Sequence, residues 1–167
     1  MQARRTFQAI KMKIRVVSVT HTNFSWIHHS GLYFLTEPLE VVINAELVSG
    51  GTAPMVITWT FEAGACTDGL SVPWLLRWFL PNWDDKNALY CIAGLCHDAG
   101  YASRASNMLS RSMVDDIFRG TLRLSGTNRF RAGAADLAVG LFACRHWGRD
   151  ENKLSKKSHL SIELKNA

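Results

Sequence analysis

The chain changes character near residue 72, and this change constrains its fold more than any other feature of the sequence. Before it, short segments rich in β-branched and aromatic residues predict strands at 13–19, 39–47 and 56–61. After it, apolar residues recur at helical spacing. Strands followed by helices, with no linker composition between them, are typical of an α+β fold. We therefore expect N-terminal antiparallel strands followed by a C-terminal bundle of about four helices.

Turn and cap residues give approximate boundaries for these elements. Ser49-Gly50-Gly51 predicts the turn of a hairpin between the second and third strands. Helix start and stop residues predict four helices. They are expected at 74–80, at 85–101 with Asp84 as N-cap, at 111–124 with Ser110 as N-cap, and at 128–147.

Length and charge predict one domain with basic ends. A chain of 167 residues that is 47% hydrophobic suits a single compact, soluble domain, which we place at 13–148. Lys and Arg are concentrated in a leader, 1–12, and in a polar tail, 149–167, whereas 36–70 contains neither. The tail is expected to be mobile or to form a weakly docked helix, and both ends are expected to be dispensable for folding.

Several classes of protein are disfavoured. No run of about 18 uncharged apolar residues predicts a membrane span, and the N-terminus lacks the apolar region of a secretion signal. The basic ends allow weak contact with nucleic acid, but no basic stripe interleaved with aromatics predicts a dedicated interface. The four cysteines include no C-x-x-C pair, so we expect reduced thiols in a cytoplasmic setting.

Two polar islands lie within apolar sequence, where a charged side chain is costly unless it is paired or bound to something. The first is 67–73, between a predicted strand and a helix, and the second is 96–101, within a predicted helix. They supply the candidate catalytic residues Asp68, Ser71, His97, Asp98 and Tyr101.

Each island also has a purely structural interpretation. Ser71 precedes a Val-Pro helix start, where N-capping is its ordinary role. His97 and Asp98 could belong to a buried hydrogen-bond network that joins their helix to the Asp68 loop. Gly94, one turn before His97, offers a place where another backbone can approach.

A third acidic island, Asp115-Asp116, adds a candidate metal ligand. The two carboxylates point to different faces of a helix, so one can face the core while the other is solvated. A divalent metal, its identity open among Mn, Fe, Zn and Mg, would suit an oxygen-rich site with one imidazole. Its predicted ligands are Asp68, His97, Asp98 and Asp115. A structural ion pair between Asp115 and Arg111, one turn earlier, is the alternative.

The remaining histidines and tryptophans give weaker indications of a functional site. His28 and His29 are expected in a surface loop before Ser30-Gly31. Trp74, Trp78 and Trp83 could line a groove for a sugar or peptide, or could pack in the core.

The islands form part of a longer pattern that resembles a known protein family. The pattern reads LTEPL at 35–39, TDGxSxP at 67–73, HDxxY at 97–101, and then a helix with Arg111, Asp115 and Phe118. It is similar to the domain of unknown function 1353, which is encoded widely in tailed bacteriophages and prophages. The resemblance covers 32–147, with departures at Leu70, Val72 and Val114 and in the leader before Met12.

The resemblance implies a phage or prophage gene product, in the host cytoplasm or the virion, but it brings no assigned chemistry. From the residues we carry two hypotheses. One is a small hydrolase built on the Asp/His/Asp site, with or without a bound divalent metal. The other is a non-enzymatic virion or assembly protein, or an inhibitor of a host factor, with phage structural proteins or that factor as partner. His-Asp also resembles the HD phosphohydrolases, which need an upstream helical His, whereas His28 and His29 fall in strand-rich sequence.

Overall fold

A computed structural model describes residues 12–48, 51–70, 81–102, 105–142 and 146–165. Within these ranges the protein is α+β, with strands first and helices after them. The strands before the helices are β1 Lys13–His21, β2 Trp26–His29, β3 Leu32–Leu35, β4 Leu39–Val48, β5 Thr52–Phe61 and β6 Cys66–Thr67. Then come α1 Ala88–Tyr101, a 3-10 helix Ala105–Asn107, α2 Arg111–Leu124, α3 Arg129–Phe142, α4 Leu154–Lys157 and a last strand, β7 Ser158–Leu164.

The strands form two antiparallel sheets. The larger has the order β1-β4-β5-β7, and the smaller has the order β2-β3-β6. In β4 and β5 buried residues alternate with partly exposed ones, which is the pattern of strands with one face on the core. Ile43 and Ile57, which are paired in register, are fully buried on that face.

Helices α1 and α2 cover the buried face of the large sheet. Ile92 and Leu95 of α1 and Ile117 of α2 share one apolar cluster with the sheet residues. A second, smaller cluster lies between α1, α2 and α3 and includes Phe118 and Leu122. The site-bearing helices are thus held by apolar burial on both sides.

The main sequence predictions are confirmed. The three expected strands and the hairpin pairing of β4 with β5 are present, and Ser110 caps α2 through its side chain. The N-cap of α1 is Asn87, not Asp84, because Asp84 instead accepts backbone hydrogen bonds in the turn before the helix. The predicted helix at 74–80 and the turn residues Ser49 and Gly50 lie outside the described residues.

The expectation of a mobile tail or a weakly docked helix is wrong over 154–164, whereas the dispensability of the ends stays a prediction. These residues form α4 and β7, and β7 pairs along its whole length with β5 as an edge of the large sheet. Leu160, Ile162 and Leu164 alternate with polar residues, which is the period of a half-buried strand. The lysine-rich composition around them obscured this short alternation. The leader, apart from Met12, lies outside the described residues.

The small sheet was also missed. His28 and His29 lie in strand β2, not in a loop, and Ser30-Gly31 turns the chain into β3 with positive φ at both residues. Two adjacent residues with positive φ are typical of a tight hairpin turn. Strands β2 and β3 are only four residues long and β6 only two, too short for periodicity to distinguish them from loops.

Two other sequence expectations can be compared with the described part of the chain. Cys66, Cys91 and Cys96 are buried there as free thiols, and burial raises the pKa of Cys91 to about 12. None of the described helices has the length and apolar character needed to cross a membrane.

The role of β7 can be tested with two substitutions in one strand. Leu160 is 8% exposed and Leu164 is 61% exposed. Leu160→Ala should lower the free energy of unfolding by about 2–4 kcal/mol, because it removes apolar contacts from the core. Leu164→Ala, the matched control, should change it by less than about 0.5 kcal/mol. Urea denaturation measures both, and equal small effects would show that β7 contributes little to the fold.

Candidate functional site

His97 lies at the centre of the candidate site, on the buried side of α1. The residue is 5% exposed. Its ring centroid lies 4.3 Å from that of Tyr101 and 4.9 Å from that of Phe118. Its Nε2 atom is buried and has no hydrogen-bond partner within the described residues. A buried polar nitrogen without a partner is costly, and it is therefore a candidate for binding a ligand or for a role in catalysis.

Two carboxylates flank the imidazole, one on each side. Asp98 Oδ1 lies 3.6 Å from His97 Nδ1, and Asp115 Oδ1 lies 3.8 Å from His97 Nε2. Both separations exceed the usual N–H···O distance of about 2.7–3.2 Å. The second is closer to the spacing of two ligands on one ion, since tetrahedral ligands about 2.1 Å from zinc lie about 3.4 Å apart. The Asp98 and Asp115 side chains are 15% and 17% exposed, so both carboxylates keep some access to solvent.

Asp98 is held by Thr67, the last residue of β6, where the strand enters the following loop. Thr67 Oγ1 donates to Asp98 Oδ2 at 2.6 Å, and Thr67 Oγ1 itself accepts from the backbone N–H of Gly69 at 3.0 Å. The loop thus connects to α1 through Thr67. Thr67 is the first residue of the polar island 67–73, but the sequence alone predicted no role for it. Its position two residues before a glycine is a recognisable Ser/Thr turn pattern.

The same loop approaches α1 through its backbone. A Cβ built on Gly94 would lie 2.8 Å from the carbonyl oxygen of Gly69. Gly69 has a φ of +94°, a conformation that side chains rarely adopt. The expectation that Gly94 admits another backbone is confirmed, and the partner is the loop that carries Asp68.

Two residues besides His97 lie against Asp115 and hold it in place. Tyr101 Oη donates to Asp115 Oδ1 at 2.8 Å, and Arg111 Nε donates to Tyr101 Oη at 3.0 Å. Arg111 Nε also lies 3.7 Å from Asp115 Oδ2. This is the ion pair that the sequence offered as the alternative to a metal-ligand role for Asp115. Burial raises the pKa of Tyr101, although the Arg111 hydrogen bond opposes this, so the phenol stays a neutral donor at neutral pH.

Asp116 points away from this group, as its position next to Asp115 predicts. Asp116 Oδ2 accepts from the backbone N–H of Ile14 at 3.0 Å, and Asp116 Oδ1 lies 3.7 Å from Arg119 Nη2. It is therefore an anchor between α2 and β1, only 14% exposed at its side chain, and not the solvated residue of the pair.

The remaining predicted residues are only partly placed. Asp68 lies in the loop between Thr67 and Gly69, and its backbone carbonyl accepts from the side-chain amide of Asn82. Ser71 lies outside the described residues. In the described part of the chain no three His, Cys, Asp or Glu side chains are grouped closely enough to hold a metal ion. The four-ligand set proposed from the sequence stays a prediction.

Comparison with known proteins identifies the family. The family DUF1353, described as a protein of unknown function, matches residues 45–139, which is more than half of the chain. The chain therefore belongs to this family. The matched segment contains Thr67, His97, Asp98, Tyr101 and Asp115. Neither the curated proteins nor the solved structures compared with the chain gave a match.

The contact between Gly94 and the loop gives a stability test with an internal control. Gly94→Ala should lower the free energy of unfolding by about 1–3 kcal/mol, because the added methyl must displace the Gly69 backbone. Gly133→Ala on α3, where the methyl meets nothing within 4 Å, should instead raise it by up to about 1 kcal/mol through helix propensity. Thermal unfolding measures both. A stabilised Gly94→Ala variant would contradict the close approach.

Proposed function

We propose that this protein is a small phage-encoded hydrolase that uses a divalent metal ion at the site around His97. The observation that carries the proposal is the buried, unpartnered Nε2 of His97 facing the carboxylate of Asp115 at 3.8 Å. A phage origin is supported by the motif pattern at 67–73 and 97–101, and it implies action in the host cytoplasm or the virion.

Each residue has a distinct role in this proposal. His97 and Asp115 present a nitrogen and an oxygen to the same gap, while Asp98 orients the imidazole from its Nδ1 side. Asp68 would supply a further carboxylate ligand, and Ser71 and Tyr101 would act on the substrate, as the polar islands of the sequence predict. A divalent ion bound there would lower the pKa of a water molecule toward neutrality and make it a nucleophile.

Pre-positioning of the carboxylates supports a catalytic interpretation. Thr67 fixes one oxygen of Asp98, and Tyr101 fixes one oxygen of Asp115. Such outer contacts orient the groups that touch a metal or substrate and commonly tune metal affinity by about 10–100-fold. In Asp98 the oxygen that faces His97 is Oδ1, the one that Thr67 does not contact. In Asp115 the same oxygen, Oδ1, faces His97 and accepts from Tyr101.

A second candidate function is non-enzymatic. The observation in its favour is that the same contacts tie together β6, α1 and α2, as a buried structural network would. The protein would then be a virion or assembly component that binds phage structural proteins, or an inhibitor of a host factor.

Metal content and activity distinguish the two functions. Protein purified without chelator should contain a divalent metal by elemental analysis, and His97→Ala should reduce metal affinity at least about tenfold. His159→Ala, on an exposed position of β7, is the control that should retain the metal. The parent protein should hydrolyse an ester, a phosphodiester or peptidoglycan, and the His97→Ala variant should not.

A negative result in these measurements would contradict the hydrolase proposal. If the parent protein holds no metal and turns over none of these substrates, the hydrolase proposal fails. The structural alternative would then predict that His97→Ala and Asp68→Ala each lower the free energy of unfolding by about 3–5 kcal/mol, because in that interpretation each side chain is one member of a buried network of ion pairs.

A further inference from the structure

Four aromatic rings form a row on the small sheet. Tyr33 of β3 stacks on Trp83, with a distance of 3.9 Å between ring centroids and an angle of 8° between ring planes. Tyr33 also stacks on His28 of β2 at 4.6 Å, and Trp26 packs edge-on against Trp83 at 4.7 Å. Three of the rings are half-buried and His28 is exposed, so this aromatic row borders solvent.

The register of the small sheet places the aromatic row next to the candidate functional site. Tyr33 is paired with His28 on one side and with Thr67 on the other. Directly paired residues of antiparallel strands project from the same face, with their Cβ atoms about 4.5–5.5 Å apart. Tyr33 therefore lies beside Thr67, whose hydroxyl holds the carboxylate of Asp98.

The segment that carries Trp83 is tied to the same loop as the site. The side-chain amide of Asn82 donates to the backbone carbonyl of Asp68, and the backbone carbonyl of Asn82 accepts from Leu70 N–H at 3.0 Å. The indole Nε1 of Trp83 donates to Asp85 Oδ1 at 2.6 Å. Because these contacts fix the Trp83 ring in place, little side-chain entropy is lost when a ligand packs against it.

The charge around the aromatic row disfavours a ligand with a phosphate backbone. Proteins that bind single-stranded nucleic acid combine stacking rings with a positively charged groove. Within three residues of the four rings the sequence has one cation, Lys86, and two carboxylates, Asp84 and Asp85. The row therefore suits a neutral ligand that offers hydrogen-bond donors to carboxylates.

We propose that the aromatic row binds a glycan chain, as the substrate-binding part of the site around His97. The C–H faces of sugar rings pack against aromatic rings, and sugar hydroxyls donate to carboxylate oxygens of the kind that Asp85 places beside Trp83. A row of rings suits a linear chain of sugars, whereas a single cation needs ring faces that converge on one point. The role of the glycan as substrate rests on the proposed function, but its binding requires neither metal nor turnover.

Calorimetric titration of the full chain with a neutral oligosaccharide, a short oligomer of N-acetylglucosamine, tests the proposal. Trp83→Ala should weaken binding at least about tenfold and His28→Ala at least about threefold, because each removes a stacking surface. The controls are Phe130→Ala, 78% exposed on α3, and Ile27→Ala, 58% exposed on the opposite face of β2. Each control should change binding by less than about twofold. Thermal unfolding shows which variants are folded, and the exposed position of His28 makes its variant decisive if Trp83→Ala does not fold.

The outcomes separate this proposal from the hydrolase proposal. Oligosaccharide binding that survives a chelator and His97→Ala, but is weakened by the row variants, supports the aromatic row whatever the result of the activity assays. Equal binding by the row variants and the controls would overturn the proposal, as would absence of binding at millimolar concentration. Tighter binding of a short single-stranded DNA, weakened by the same row variants, would overturn the assignment of a glycan in favour of a nucleic acid.

Discussion

The hydrogen bond from Thr67 to Asp98 is the contact on which the arrangement of the site depends. Apart from His97, the buried side of helix α1 is largely apolar, and a carboxylate at its border is tolerated only with a partner. Thr67 supplies that partner from the end of β6, which itself pairs with β3 in the small sheet. One side-chain contact therefore connects the small sheet to the helix that carries His97.

The rest of the site follows from a second anchored carboxylate. Asp115 is held by Tyr101 and Arg111, so α2 is fixed against α1 by polar contacts as well as by the close crossing at Gly100 and Val114. His97 lies between Asp98 and Asp115 at distances slightly too long for hydrogen bonds. The network thus holds its outer members tightly and leaves the central imidazole without a close partner. This contrast favours binding of a ligand by the imidazole of His97.

The sequence was sufficient to predict those parts of the fold that rest on local chemistry. Ser110 as an N-cap and the apolar spacing of α1 depend on neighbouring residues alone, and both were found. His97, Asp98 and Asp115 stood out because charged residues in apolar segments need partners. Gly94 was recognised as a contact point from its residue type alone, since a residue without a side chain lets another backbone approach closely.

What the sequence could not show depends on contacts between distant residues. The pairing of β7 with β5 joins segments about one hundred residues apart, and only the short alternation around Leu160 indicated a strand. The role of Thr67 depends on Asp98, which lies 31 residues later.

A double-mutant cycle on Thr67 and Asp98 tests the central claim most directly. Thr67→Val and Asp98→Ala, alone and together, are compared by their free energies of unfolding. We expect a coupling energy of about 1.5–3 kcal/mol, the range of a hydrogen bond to a charged group. Effects that add within about 0.5 kcal/mol would contradict the claim, because the loop and α1 would then be held together without this contact.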